Sequence, residues 1–230
     1  MSRIVTIFNE KGGSGKTTTA CQLAGTLGLR GYDVLVADLD SQETSSRWLS
    51  AKSNGPRFPA TVWSGYRFGA NVTRELRIQS EKYQIIVADC APSIENAATW
   101  GTLLVSDLAI IPTKLNPPDI AALDAAKRMA KKALEKSGRS FPIRVLANAA
   151  RLHFKDDRAF FDELVIDELM PALPFVLGDR KAFTRAMLYG CTAHDLPNSE
   201  EAVVEIERLA DATLKFLGLP EKHTKKEINQ

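Results

Sequence analysis

Two adjoining stretches, Ile4-Val5-Thr6-Ile7-Phe8 and Lys11-Gly12-Gly13-Ser14-Gly15-Lys16-Thr17-Thr18, decide the fold of this chain. The first is a short run rich in β-branched residues, the pattern of a buried strand. After the glycines, Ala20, Leu23, Ala24 and Leu27 recur at i, i+3, i+4 and i+7, which is the apolar stripe of a helix packed on a sheet. Strand, glycine loop and helix in that order form the setting of a phosphate-binding loop. Glycines let the backbone approach closely, so that several N–H groups and the positive helix end face one anion. In such a loop Lys16 reaches the β- and γ-phosphate oxygens, and the Thr17 hydroxyl completes a Mg²⁺ shell. The competing reading, a glycine-rich turn without a ligand, leaves the Gly-Lys-Thr register unexplained.

Working outward, Val34–Ala37, Ile85–Ala88, Leu108–Ile111 and Ile143–Leu146 are nearly unbroken apolar runs, as expected for strands covered on both faces. Helical patterns fall between and after them, most clearly over Asp119–Lys136, Asp156–Leu169 and Glu200–Leu217, and Gly31 ends the helix that follows the glycine loop. Ser53–Tyr66, with its prolines and glycines, reads as loop with little regular structure. The alternation predicts a single α/β domain over residues 1–220, a mainly parallel twisted sheet with helices on both faces, and a polar, frayed tail over 221–230. A strand at residue 4 leaves no room in this sequence for a preceding helix-turn-helix domain.

The composition of the 230 residues, 44% hydrophobic and 25% charged with a formal charge of +2, is that of an ordinary globular chain. It lacks the strong basic excess of a dedicated DNA-binding domain. Cys21, Cys90 and Cys191 have no CxxC spacing, so neither a disulfide framework nor a zinc site is indicated and a reducing cytoplasm fits. The apolar run at the start is too short for a signal peptide or a membrane span.

The loop departs from the usual G-x-x-x-x-G-K-T spacing, with Glu10 and Lys11 where the first glycine would fall. Lys-Gly-Gly-x-Gly-Lys-Thr resembles the deviant Walker A ATPases, the P-loop group that includes ParA partition proteins and MinD. The resemblance implies ATP and Mg²⁺ as cofactors and a homodimer closed over two nucleotides. Lys11 would reach the other subunit's ATP, much as an arginine finger does; the alternative is a solvated lysine beside the loop. Asp38-Leu39-Asp40-Ser41-Gln42 is similar to the family's D-x-D-P-Q segment, with Ser41 in place of the proline. By that likeness Asp40 orients the attacking water and Asp38 lies nearer the metal, although acids after strands also cap helices. Ile85-Ile86-Val87-Ala88-Asp89 has the Walker B form, so Asp89 would hold Mg²⁺ through a water. Asn116-Pro117-Pro118-Asp119 matches the family's loop after the next strand. Asn148 sits where the family contacts adenine, or is a simple strand-end turn residue.

The stretch Gly178–Gly190 is similar to the arginine-bearing helix of small, ParF-like ParA proteins. That resemblance implies nonspecific DNA binding through Arg180, Lys181 and Arg185, a ParB-like adaptor that stimulates hydrolysis, and a place on the nucleoid. Phosphate contacts of this kind weaken steeply with salt. Lys127, Arg128, Lys131 and Lys132 form a second cationic strip, either a further DNA contact or an ordinary solvated face. The same switch could position a protein cargo instead of DNA. A MinD-like membrane ATPase is disfavoured, since the polar face of the last helix carries Glu200, Glu201, Glu205, Glu207 and Asp211, which repel anionic lipid.

Overall fold

A computed structural model describes residues 2–51, 57–93 and 96–222. Its strands are β1 Arg3–Ile7, β2 Val34–Leu39, β3 Thr61–Ser64, β4 Ile85–Cys90, β5 Leu108–Thr113, β6 Ile143–Ala150 and β7 Ala172–Gly178. They form one sheet in the order β3-β2-β4-β1-β5-β6-β7, with every neighbouring pair parallel. Parallel strands need crossovers, and the helices supply them: α1 Lys16–Leu29, α2 Thr44–Ser50, α3 Val72–Gln79, α4 Ala97–Leu103, α5 Pro117–Ser137, α6 Lys155–Val165, α7 Lys181–Tyr189 and α8 Glu200–Leu217.

Alternation along the strands divides the core into two layers. Ile4 and Phe8 join Leu76 of α3, Leu103 of α4, Leu123 of α5 and Phe161 of α6 on one face. Val5 and Ile7 join Leu23 of α1, Phe183 of α7 and Ile206 and Leu209 of α8 on the other. β1 lies at the centre, and the chain turns from the β2–β4 side of the sheet to the β5 side around it. Ligand sites of open α/β sheets lie outside the carboxyl ends of strands at such a reversal.

The end of α1 is held by the last helix. Arg30, whose side chain is 4% exposed, pairs with Glu207 and, at 2.7 Å, with Asp211. His194 Nε2 meets Glu207 Oε1 at 2.7 Å, and the Tyr32 hydroxyl donates to the Pro220 carbonyl. Nearer the loop, Gln22 Oε1 accepts from the backbone N–H of Ala193 at 2.9 Å.

The structure corrects the element reading in three places. The expected loop over Ser53–Tyr66 contains the edge strand β3, where Thr61, Val62 and Trp63 pair with Leu35, Val36 and Ala37; residues 53–56 of it lie outside the described residues. A β-branched and aromatic run suits an edge position even between prolines and glycines. The expected helix to Leu169 ends at Val165, because Asp167 Oδ1 accepts from the backbone N–H groups of Leu169 and Met170 at 2.9 and 2.8 Å and holds them in a turn. β7 adds a strand that the sequence reading passed over. Of the expected tail, residues 223–230 lie outside the described residues.

Candidate functional site

The glycine loop leaves the carboxyl end of β1 and enters α1 through Gly15, whose φ of 95° is left-handed. A β-carbon there would lie 1.7 Å from Asn148 Nδ2 as well as being strained, so only glycine fits. Asn148 donates to the Ser14 carbonyl at 2.8 Å and is buried. It therefore braces the loop from β6. Asn9 clamps the other end: Oδ1 accepts from the Lys11 N–H at 3.1 Å, and Nδ2 donates to the Pro112 carbonyl at 2.8 Å. The loop is thus tied to the neighbouring strand ends.

Lys16 begins α1 and is 7% exposed, with its ammonium donating to the Lys11 carbonyl at 3.0 Å. Burial lowers its pKa, and the opposing pull of Asp89, Cys90 and Asp40 only partly offsets this. Among the described residues it has no ion-pair partner within 4.0 Å. Lys11 is half-buried at the loop's start, while Gly12 and Gly13 are exposed.

The carboxylates stand at adjoining strand ends, since Asp38 of β2 is in register with Asp89 of β4, and Asp89 with Ile7 of β1. Asp89 Oδ2 accepts from Thr17 Oγ1 at 2.8 Å and from Ser45 Oγ at 2.6 Å, whereas buried Oδ1 has no partner among the described residues. Desolvation pushes its pKa up to about 7 against those two hydrogen bonds. Asp38 Oδ2 accepts from the Ser46 N–H at 2.8 Å, and burial likewise raises its pKa. Asp40 is more open, with Oδ1 accepting from the Gln42 N–H at 2.9 Å in a turn just before α2.

Ser45 was not picked out from sequence, yet it links the parts. It lies in the first turn of α2, bonds to Asp89, and meets Cys21 Sγ of α1 at 3.3 Å. Nothing in the local pattern marks it; only the pairing of the following helix with the β4 carboxylate does. Lys11, Lys16, Thr17, Asp38, Asp40 and Asp89 are brought to one end of the sheet. Of these, Thr17, Asp38 and Asp89 offer one hydroxyl and two carboxylates, all oxygen, the chemistry that a hard divalent cation takes.

Arg180, Lys181 and Arg185 belong to other elements, following β7 and on α7. Arg180 binds Glu205 at 2.7 Å and also Glu201, joining the end of β7 to α8. Its charge is engaged within the fold, while Lys181 is exposed and Arg185 half-buried. On α5, Asn116 caps the helix by accepting from the Asp119 N–H at 3.1 Å, and Lys127 pairs with Asp167. No described helix is long and apolar enough to cross a membrane.

A family model described as the CobQ/CobB/MinD/ParA nucleotide binding domain matches residues 5–209. The maintenance of carboxysome distribution protein A of Gloeobacter kilaueensis is 28% identical over 211 residues, spanning 91% of this chain and 93% of that protein. A putative plasmid partition protein of Borrelia burgdorferi, solved with AMPPNP, superposes with a TM-score of 0.70 at 20% identity over 94% of this chain and 99% of that one. The septum site-determining protein MinD of Pyrococcus horikoshii, solved with Mg-ADP, gives a TM-score of 0.73 at 20% identity over 95% and 98%. At these identities the two structures speak to the shared fold.

Proposed function

From the premise that this chain belongs to the CobQ/CobB/MinD/ParA nucleotide-binding domain family, we propose that it is a Mg²⁺-dependent ATPase switching between monomer and ATP-bound homodimer, and that the dimer binds DNA nonspecifically until an adaptor stimulates hydrolysis. The observation that carries this reading is the joined set of Thr17 on Asp89 and Lys16 on the Lys11 carbonyl, where a left-handed glycine leads the loop into α1.

In this reading the loop N–H groups and Lys16 take the triphosphate, with Lys16 exchanging the Lys11 carbonyl for phosphate oxygens. Thr17 and Asp89, with Asp38 behind them, are the oxygen donors for Mg²⁺; the unpartnered Asp89 Oδ1 supports that assignment. The ion supplies charge neutralisation at the phosphates when bound. Asp40, the most open of the three acids, holds the attacking water, and Asn148 both braces the loop and borders the base. Lys11 serves the partner's nucleotide, so turnover depends on closure. With Arg180 engaged by Glu201 and Glu205, Lys181 and Arg185 are the leading DNA contacts on this element.

The likeness to the carboxysome distribution protein along nearly the whole chain favours a second reading of the cargo. The same dimer cycle would then space a protein assembly over DNA rather than a plasmid. Sedimentation with ATP and Mg²⁺ tests the switch. The wild type should dimerise, Lys11→Ala should bind ATP yet stay monomeric, and Asp40→Ala should accumulate as dimer with little phosphate release. A wild-type chain that remains monomeric and turns over no faster at high concentration would refute it. A nucleotide-dependent gel shift on random duplex, lost in Lys181→Glu/Arg185→Glu, tests the DNA step.

A further inference from the structure

The cationic strip of α5 is not uniform once folded. Lys127 is neutralised by Asp167, whereas Arg128 and Lys132, one helical turn apart, are exposed and in no ion pair among the described residues. Both border a groove of about 330 Å³ between α4 and α5, floored by Trp100, Ala125 and Met129. Charge and apolar surface therefore stand side by side at this groove.

We propose that this groove docks an acidic segment of a partner protein, a large apolar side chain entering over Trp100 and Met129 while flanking carboxylates meet Arg128 and Lys132. The volume is at the small end for ligand pockets and suits one bulky side chain better than a cofactor. Arg presents a planar fork matched to a carboxylate, and Lys a point charge one turn on, so a helical or turn-forming acidic peptide meets both. Tryptophan, with arginine beside it, is the residue type that carries interface affinity. A duplex satisfies the cations but not the slot, since phosphodiesters bring no hydrocarbon to cover the indole and thioether. The α4 wall of the groove is the first helix after β4, the strand that carries Asp89, so an occupant braces the element next to the site. The inference does not depend on the ATPase reading.

The test uses the full chain without nucleotide and a set of fluorescein-labelled synthetic peptides, each with one Leu, Phe or Trp between glutamates at helical or extended spacing. Lysine-for-glutamate versions serve as controls, and binding is read by anisotropy. At least one acidic peptide should bind, weaken with salt, and lose roughly tenfold or more in affinity for Arg128→Glu/Lys132→Glu. The same charge change in Arg208→Glu/Lys215→Glu, on exposed positions of α8, should leave it unaltered. All these residues are exposed, so melting curves should match the wild type. Failure of every acidic peptide, or equal binding by both double variants, overturns the proposal. So does loss of random-duplex binding in Arg128→Glu/Lys132→Glu, which makes the strip a DNA contact. Self-association of the wild type abolished by that variant would give the face to a second copy instead.

Discussion

At the head of the sheet Lys16 and Asp89 are buried, yet among the described residues neither has an ion-pair partner; on the outer elements Arg180 and Lys127 are more accessible, yet both are paired with carboxylates. Ordinary stability argues for the reverse arrangement, because a buried charge without a partner is costly and an exposed pair adds little. The outer pairs join elements that are distant in sequence: β7 to α8 and α5 to the turn after α6. The inner groups are held by hydrogen bonds alone, Lys16 by the Lys11 carbonyl and Asp89 by Thr17 and Ser45. The cost shows at Asp89, whose pKa burial raises to about 7, and at Lys16, whose pKa it lowers; in the proposed reading these perturbed buried groups mark the site and the paired outer charges the scaffold.

The contrast breaks most visibly at Lys16. Lys16→Ala should leave the fold intact but weaken ATP by roughly a hundredfold or more, the scale of removing a buried charged partner; titration with a fluorescent ATP analogue measures it. An unchanged affinity would place the triphosphate elsewhere. Next comes Ser45, the donor that ties α2 to the buried carboxylate. Ser45→Ala should cost the ligand-free chain about 1–3 kcal/mol in urea unfolding, since Asp89 loses a donor it cannot replace from water.

A smaller effect sharpens the same point through pH. The Asp89 pKa of about 7 in the folded chain lies above that of an unfolded aspartate, so the native state binds the extra proton between roughly pH 4 and 7. This carboxyl therefore adds stability as pH falls through 7, about 1 kcal/mol between pH 7 and 6 without ligand. Asp89→Asn should remove that slope from the pH dependence of unfolding. The smallest change is expected on the outside: Lys127→Ala, breaking an accessible pair with Asp167, should shift unfolding by under about 1 kcal/mol and leave nucleotide affinity alone.

How far each feature could be read from sequence follows from the range over which its cause acts. The glycine loop was legible because its constraints are local: a strand, a left-handed glycine and a helix within a few residues. The place of Asp38 and Asp89 near the ends of β2 and β4 was legible because unbroken apolar strands point to their own carboxyl ends. β3 and β7 were not, since each is an edge strand satisfied along one side only, and Pro174 further weakens the pattern of β7. Arg180 read as a free cation because its partner Glu205 lies 25 residues on, across a helix turn that composition does not display. Ser45 was missed for the same reason, with its acceptor 44 residues away on another strand. The strip on α5 was visible as charge, but Trp100 beneath it belongs to the preceding helix.

The clasp between Arg30 and Glu207 spans 177 residues, and it secures the rear of the helix whose front opens on the glycine loop. The loop's own constraints are local, but the footing of the helix behind it is not, because it forms only when residues 177 apart in the chain are brought together.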